Sequence, residues 1–347
     1  MEFTGLIVRY RVDRPLTEQE RAQQLKQKVR LNLQPRNQLS VIEMNSTYLE
    51  SVDKWFAWKG AISAVAIISL LLVLWLLGGI GGLSLLEAAG LIAGPSQSDE
   101  GTGFLWVMGT VLIAICAALV WCSIWFLRKE SFAYTHYPLR FNRKKRLVHV
   151  FGTDGATLTV PWDEVFFTIG RVGAETEVRG HVLDTDKTTV RATFVLSFVS
   201  VISAQDNDPR TTQFSDQDYV RSHWEFIRRY MEDGPQAVMG EIQSCMPVNR
   251  RRETAMAGAR RIFANFAGGS LPLLFVVFPF CVVHSLFRMF AMRTSKIPQW
   301  PKEVEELGLI DPDDPFAIQG DRDGNVVAVF PGTARAVGVP TEASARQ

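Results

Sequence analysis

The histidines are the first side chains to consider for chemistry, because imidazole can ligate a metal or act as a general base. The chain has five, His136, His149, His181, His223 and His284, and they show no HxxxH or HExxH spacing. Neither a GxSxG nucleophile elbow nor a GxxxxGK(S/T) phosphate loop occurs. The sequence therefore predicts no catalytic residues, no metal site and no cofactor, and we expect that the protein is not an enzyme.

Two acidic clusters could suggest cation binding, but their sequences favour turns. Residues 321–325 (DRDGN) lack the ligand register of a calcium loop and its closing Glu, so an Asp-Gly hairpin turn is the favoured interpretation. Residues 311–315 (DPDDP) hold three carboxylates beside two prolines, which prevent a shared helical face. We expect a solvated turn there.

Basic stretches and one strand end supply the candidate contacts for a protein partner or for lipid. A basic stretch before an apolar segment can bind anionic headgroups at about 1 kcal/mol per charge, although ordinary flanking charge explains it as well. Trp162 is typical of a core residue and Asp163 of a turn, with partner binding as the second interpretation. The candidates are Arg143, Lys144, Lys145, Arg146, Trp162, Asp163, Arg250, Arg251 and Arg252.

Overall composition argues against nucleic acid as a partner. The 347 residues carry a formal net charge of +1, which gives no bulk attraction to phosphate backbones. Of the four cysteines, Cys116, Cys122 and Cys281 lie within apolar blocks and Cys245 stands alone. This arrangement predicts neither a disulfide framework nor a zinc site.

Two uncharged runs, residues 60–80 and 104–127, predict membrane-spanning helices. A helix of about 20 residues spans the hydrocarbon core, and backbone groups in lipid must be paired internally. Lys and Arg flank the outer ends of both runs and are absent from residues 81–103. The positive-inside rule therefore predicts a hairpin with the N-terminus and the middle of the chain in the cytoplasm. Apolar residues of the connection, such as Leu83 and Leu91, could lie flat on the far membrane surface.

A third apolar block, residues 270–287, allows two interpretations. Basic residues flank it on both sides, so a full crossing would export positive charge. A re-entrant segment bent at Pro279 would keep both flanks inside, because proline removes a backbone donor and clashes with the preceding helical turn. We favour the re-entrant or interfacial interpretation, with a crossing as the alternative.

The soluble middle of the chain predicts a small α+β domain. Strand-like runs separated by turn residues cover residues 139–142, 147–151, 156–162, 165–172, 178–183 and 190–201. An amphipathic helix is expected at residues 215–232, which gives an antiparallel, pleckstrin-homology-like outline with a closing helix. Near the N-terminus, Thr17 and Glu20 have capping-box spacing and predict a helix over residues 17–33. Residues 332–347 are small and polar and predict a disordered tail.

These features divide the chain into five regions. They are a cytoplasmic N-terminal segment with an amphipathic helix (1–54), a transmembrane helical hairpin (55–128), a cytoplasmic strand-rich domain (129–262), a re-entrant or third membrane segment (263–292) and a cytoplasmic C-terminal segment with the tail (293–347).

Three stretches together resemble a known family: residues 137–169 (YPLRFNRKKRLVHVFGTDGATLTVPWDEVFFTI), the third apolar block, and residues 291–315 (AMRTSKIPQWPKEVEELGLIDPDDP). They are similar to an uncharacterised bacterial inner-membrane family often encoded beside type VI secretion effector and spike genes. The resemblance spans roughly residues 54–315, and FNRKKRLVHVF and WDEVFF are its most specific parts. It implies a multi-pass protein of a Gram-negative inner membrane with an accessory role around a secreted toxin, and it supplies no catalytic residues.

The expected function is therefore that of a non-enzymatic, membrane-anchored interaction protein. It would bind a secreted effector or a secretion component through the cytoplasmic domain, as an immunity protein or as an effector adaptor. The alternative is a membrane-surface sensor or anionic-lipid-binding module. Membrane lipids are expected partners in either case, and a homo-oligomer is compatible with the sequence.

Overall fold

The computed structural model describes residues 10–94, 99–173, 175–200, 216–266, 271–342 and 344. The chain forms two compact units. A strand-rich unit contains Met1–Trp58, Tyr134–Ser285 and Lys296–Gln347, and a helical unit contains Lys59–Ala133 and Leu286–Ser295.

Helices occur in both units. In chain order they are α1 (Glu18–Ala22), α2 (Ala61–Val73), α3 (Gly79–Ala88), α4 (Asp99–Glu130), α5 (Asp216–Asp233), α6 (Ala255–Ala264), α7 (Leu271–Thr294), α8 (Lys302–Leu307) and α9 (Pro331–Val337).

Strands occur only in the strand-rich unit of the described chain. They are β1 (Arg14–Pro15), β2 (Gln24–Leu25), β3 (Val41–Met44), β4 (Tyr48–Ser51), β5 (Leu139–Asn142), β6 (Leu147–Phe151), β7 (Thr157–Pro161), β8 (Phe166–Val172), β9 (Glu175–Leu183), β10 (Thr189–Ser200), β11 (Ile318–Gly320) and β12 (Val326–Ala328).

The strands form two antiparallel sheets. One has five strands in the order β1-β10-β9-β8-β2, and the other has seven in the order β12-β11-β3-β4-β5-β6-β7. The predicted α+β class is confirmed. The six predicted strands are present as β5–β10, three in each sheet, and β1–β4, β11 and β12 add strands from both ends of the chain.

An aromatic core fills the strand-rich unit. The helix predicted at residues 215–232 is α5, and its apolar stripe buries Trp224, Ile227 and Met231. The indole rings of Trp162 and Trp224 stack with centroids 5.5 Å apart, and Phe167 lies 4.5 Å from Trp224. Helix amphipathicity thus determines which face of α5 enters the core.

The N-terminal helix is much shorter than predicted. The capping box is present, because the Thr17 hydroxyl accepts from the Glu20 amide and the Glu20 carboxylate accepts from the Thr17 amide. Helix α1 nevertheless ends at Ala22, and the next residues form β2, which pairs with β8. Leu25 is buried in the core there, so strand pairing overrides helix propensity and the predicted helix over residues 17–33 is wrong.

The C-terminal segment is ordered as far as it is described. Residues 331–337 form α9, and the Ala328 amide donates to the carbonyl of Pro340. The predicted disorder is therefore wrong for residues 332–342 and 344, while residues 343 and 345–347 lie outside the described part. The small polar residues of this segment show no periodic pattern of apolar side chains in the sequence. Their order comes from pairing with β12.

Both acidic clusters form turns. Asp321 accepts hydrogen bonds from the amides of Asp323 and Asn325 at 2.8 and 2.9 Å within the β11–β12 hairpin, as predicted. The DPDDP turn is only partly solvated. Its Asp314 is buried and accepts from the Ser46 amide at 2.7 Å and from the Ser46 hydroxyl at 2.8 Å.

In the helical unit, both predicted spans are helical. The first is longer than residues 60–80, because α2 continues through a π-helical turn (Leu74–Gly78) into α3. Leu83 is therefore helical, which corrects the flat-lying connection predicted from residue 81 onward. The helix stops at a local signal, since Gly90 has φ +70° and the Leu91 amide donates to the carbonyl of Leu86, as in a Schellman motif.

The N-terminus of α2 is closed by a carboxylate from the end of α4. Glu130 is 2 % exposed, and it accepts from the Gly60 amide at 2.8 Å and from the Ser63 amide and hydroxyl at 2.7 Å. Lys59 donates to the Glu130 carbonyl at 2.7 Å. A negative side chain at this position satisfies free amides and complements the helix dipole.

Helix α7 is continuous from Leu271 to Thr294 and contains Pro279 in its interior. Pro279 therefore does not break the segment into the two arms of the predicted re-entrant hairpin. In total, the described residues include three helices long and apolar enough to cross a membrane: Ala61–Ala88, Glu100–Glu130 and Pro272–Thr294.

Candidate functional site

A row of polar side chains crosses the seven-stranded sheet. The antiparallel register places each member directly opposite the next, so that all project from one face. The row, from β11 to β7, consists of Gln319, Glu43, Glu50, Arg140, His149 and Thr159. Its four titratable members are between 0 and 9 % exposed, which is unusual for charged side chains.

Arg140 is the centre of this row. Its Nε donates to Glu50 at 2.7 Å, and Trp300 Nε1 donates to the same carboxylate oxygen at 3.0 Å. The guanidinium carbon lies 4.2 Å from the ring centroid of Tyr48 and 5.1 Å from that of Trp300. Both distances are within the range of cation–π contacts.

One nitrogen of Arg140 remains unsatisfied. Nη1 is buried and has no hydrogen-bond partner among the described residues, where the ion-pair oxygen recorded for it is that of Glu305 at 3.7 Å. A buried N–H without an acceptor is costly, so this nitrogen marks a place where an acceptor would stabilise the protein.

Burial and neighbouring charges shift the pKa of two members of the row, Glu43 and His149. Burial, and then the charge of Glu50, raise the pKa of Glu43 to about 7. Burial, and then the charge of Arg140, lower the pKa of His149 to about 4. The lowered pKa favours the neutral form of His149 at neutral pH, and the raised pKa favours the protonated form of Glu43.

A cleft of about 610 Å³ opens over Arg140 and Glu50. We call it the Arg140 cleft. Its other walls come from residues 136–138, 248–250 and 297–309, including Arg250, Trp300 and Glu305. At the rim, Arg250 donates to Glu305 at 2.8 Å. Among the described residues, the lining offers charged donors, acceptors and aromatic surface.

The first basic stretch predicted from sequence lies away from this cleft, and much of it is paired internally. Arg146 forms a two-pronged ion pair with Asp163 at 2.5 and 2.6 Å and also contacts Glu232. Trp162 is fully buried and donates to Glu232 at 2.8 Å, which supports its interpretation as a core residue. Arg143 is half-buried, Lys144 pairs with Asp311, and Lys145 is exposed.

The second basic stretch is divided. Arg250 lines the Arg140 cleft, Arg251 donates to the carbonyl of Gly320, and Arg252 is exposed. The structure thus brings only one of the nine predicted contact residues to the cleft.

The sequence analysis missed the residues that build the cleft. Glu43 and Glu50 interrupt short apolar strands (VIEM and YLES), and Arg140 interrupts LRFN. A charge inside each of three such strands was the available signal. It was ambiguous, because alternation also places charges on a solvent-facing side.

The fold and the cleft define a class: an α+β protein with candidate membrane spans and a cleft over a row of buried polar side chains. The chain belongs to a family of unknown function (DUF6708), whose pattern matches residues 116–310, more than half of the chain. No curated protein and no solved structure matches the chain. Arg140, Trp300 and Glu305 lie within the family range, whereas Glu43 and Glu50 lie outside it.

Proposed function

We propose that this chain is a membrane-anchored interaction protein whose strand-rich unit binds a protein partner in the Arg140 cleft. One observation carries the proposal: Arg140 is almost fully buried beside the cleft, and its Nη1 lacks an acceptor. An unsatisfied buried donor destabilises a protein by about 1–3 kcal/mol. A partner that places a carboxylate or a backbone carbonyl at Nη1 would remove this penalty.

The residue types in the cleft support a protein partner. Tryptophan, tyrosine and arginine dominate the energetics of protein interfaces because they combine large contact area with directional hydrogen bonds. Trp300, Arg140 and Arg250 all line the cleft. Arg250 has 76 % of its side chain exposed and is available to a partner at the rim.

Strand pairing supports the hairpin topology that we propose for the two spans. Ser51 at the end of β4 pairs with Leu139 at the start of β5, although α2, α3 and α4 lie between them in the chain. Neighbouring strands are about 5 Å apart, so the chain must enter and leave this hairpin on one side of a bilayer. From the distribution of Lys and Arg, we propose that this side is the cytoplasm.

Contacts on both flanks of α7 support an interfacial α7 over a single crossing. Before it, Asn265 donates to the carbonyl of Ala57 at 3.1 Å, and after it the Thr135 amide donates to the carbonyl of Lys296 at 2.8 Å. A crossing would place these two flanks on opposite sides of the bilayer. Topology reporters after Gly90, Glu175 and Asp313 test this. We expect only the first to be external, and an external reporter after Asp313 would instead establish a crossing.

The chain resembles a family found beside type VI secretion genes, and on this basis we propose that the protein lies in a bacterial inner membrane. An immunity protein and an effector adaptor both fit, as each holds a secreted protein at the membrane. The pleckstrin-like outline stays a hypothesis for β5–β10 with α5. The lipid-binding alternative has less support at Arg251, because its guanidinium donates to the carbonyl of Gly320 within the chain.

Site-specific photocrosslinking of the full chain in cells tests partner binding. A photoreactive residue at Gln299, an exposed residue of the cleft lining, should crosslink to a protein encoded beside this gene. The matched control is the same residue at Lys187, an exposed position on the β9–β10 connection, which should give no such product. Equal crosslinking at both positions, or none at Gln299 when the neighbouring genes are co-expressed, would refute the proposal.

A further inference from the structure

A second, smaller pocket of about 210 Å³ lies on the five-stranded sheet. Three arginines, Arg11, Arg14 and Arg179, contribute to its lining together with His181, and no carboxylate side chain does among the described residues. We call it the arginine pocket. Three guanidinium groups converging on so small a space make it different from the mixed-charge Arg140 cleft.

The sheet itself aligns two of these side chains. Arg179 and His181 are two residues apart on β9 and therefore project from the same face. His181 is fixed by Thr193, opposite it on β10, with Nδ1 and Oγ1 2.9 Å apart. Gly170 on β8 leaves room for Arg179, because a Cβ there would lie 2.4 Å from Arg179 Nε.

Two buried carboxylates hold the cations in place. Glu20 binds the two Nη atoms of Arg14 at 2.8 and 2.6 Å, and Glu177 accepts from Arg179 at 2.8 Å and from Lys54 at 2.6 Å. Burial alone would raise the pKa of Glu20, but the adjacent His181 imidazole and the hydrogen bonds from Arg14 outweigh it and lower the pKa. Both carboxylates therefore stay charged and fix the guanidinium groups.

These carboxylates do not neutralise the pocket. Arg11, Arg14, Arg179 and Lys54 supply four positive charges, against Glu20, Glu177 and the partly exposed Glu175, which lies 3.8 Å from Lys54. Arg11 is exposed and makes no hydrogen bond or ion pair with any described residue. Arg179 donates hydrogen bonds through Nε and Nη2, and its Nη1 makes no hydrogen bond to the part of the chain that the structure describes.

We propose that the arginine pocket binds a phosphate monoester group. A tetrahedral dianion offers several oxygens to guanidinium groups that approach from different strands, and arginine forks match phosphate geometry. The volume is below the roughly 300 Å³ at which pockets hold drug-sized molecules, so the pocket takes the headgroup rather than a large ligand. The same chemistry could come from free phosphate or from a lipid headgroup such as that of phosphatidic acid. This site is independent of the proposed partner-binding function.

Calorimetric titration of the full chain in uncharged detergent with inorganic phosphate tests the site. Wild type should show saturable binding to one site, and Arg11→Glu should weaken it by about tenfold or more, the equivalent of a lost charge-assisted contact. Arg21→Glu is the matched control, because Arg21 is an exposed arginine of α1 outside the pocket. It should bind phosphate as wild type does. Absence of saturable binding, or equal loss in both variants, would overturn the proposal.

A second set of titrations, carried out with lipid, distinguishes free phosphate from a lipid headgroup as the source of the bound group. The titration is repeated in nanodiscs of phosphatidylcholine alone, with added phosphatidic acid, and with added phosphatidylglycerol as a diester of equal sign. Loss of phosphate binding only with phosphatidic acid identifies a lipid monoester as the occupant. Unchanged binding in all three nanodiscs identifies free phosphate. Equal loss with both anionic lipids would show surface charge rather than a monoester site and would count against the proposal.

Discussion

Glu43 should make the folded chain less stable as the pH rises toward neutrality. Its carboxyl is buried on β3 opposite Glu50, and Tyr48 and Asn249 donate hydrogen bonds to it. Burial, followed by the charge of Glu50, raises its pKa from 4.5 to about 7, although the Tyr48 hydrogen bond and the charges of Arg140 and Arg250 act in the opposite direction. The folded chain therefore keeps a proton that the unfolded chain releases.

The size of the effect follows from linkage. Below pH 4.5 both states hold the proton and Glu43 adds no pH dependence. Between 4.5 and about 7 the folded state binds more protons, so stability falls as the pH rises. At about 1.4 kcal/mol per pH unit, the loss is about 3 kcal/mol above pH 7. Glu43→Gln removes the ionisable group and should flatten this part of the profile.

Denaturant unfolding of the full chain in uncharged detergent, followed by tryptophan fluorescence, measures the effect between about pH 5 and about pH 8. The quantity of interest is the free energy of unfolding of Glu43→Gln minus that of wild type, because other titrations cancel in this difference. It should increase with pH by about 3 kcal/mol. Glu303→Gln, an exposed position on α8, should leave the wild-type profile unchanged. A difference that does not change with pH, or that decreases, would refute the reasoning.

Three further predictions concern stability. Gly60→Ala should destabilise the helical unit by about 3 kcal/mol or more in a thermal unfolding assay. The reason is that φ of Gly60 is +99° and that the new Cβ would lie 2.4 Å from the Arg288 amide nitrogen. Gly79→Ala is the control and should have little effect, because there is open space around its Cβ. Glu130→Gln should lower the free energy of unfolding by about 1–3 kcal/mol, because the amides at the start of α2 lose a charged acceptor. An unchanged denaturation midpoint would contradict the role of Glu130 in closing the N-terminus of α2. Trp162→Phe should destabilise the strand-rich unit by about 1–3 kcal/mol, because Glu232 loses its indole donor. A double-mutant cycle with Glu232→Gln should show that the effects of the two substitutions on the free energy of unfolding are not additive.

The parts of the fold that were predictable are those whose signal is local. The runs at residues 139–142 and 147–151 match β5 and β6 residue for residue, and α5 is displaced by one residue from its prediction. Alternating apolar residues, turn residues and an amphipathic stripe specify these elements without distant contacts. The uncharged runs of α2 and α4 were equally clear, because length and lack of charge suffice.

The wrong predictions concern segments whose structure depends on distant partners. β2 is extended because it pairs with β8, more than 140 residues later in the chain, and the end of the described chain is ordered because it pairs with β12. The candidate site was missed for the same reason. Glu50 and Arg140 are buried together because β4 pairs with β5 and because Trp300 packs over Arg140. A single sequence does not show which face of a four-residue strand becomes covered.

The Arg140 cleft is assembled from three separated parts of the chain, and this limits how its function can be isolated. Glu50 precedes the helical hairpin, Arg140 follows it, and Trp300 comes after α7. A fragment of residues 131–232 would keep Arg140 without Glu50 or Trp300, and loss of one member of a buried ion pair typically costs 3–5 kcal/mol. Such a fragment would also expose β5 as an unpaired edge. Because β4 pairs with β5, the contact that buries Glu50 against Arg140 also brings together the two ends of the chain that enclose α2, α3 and α4.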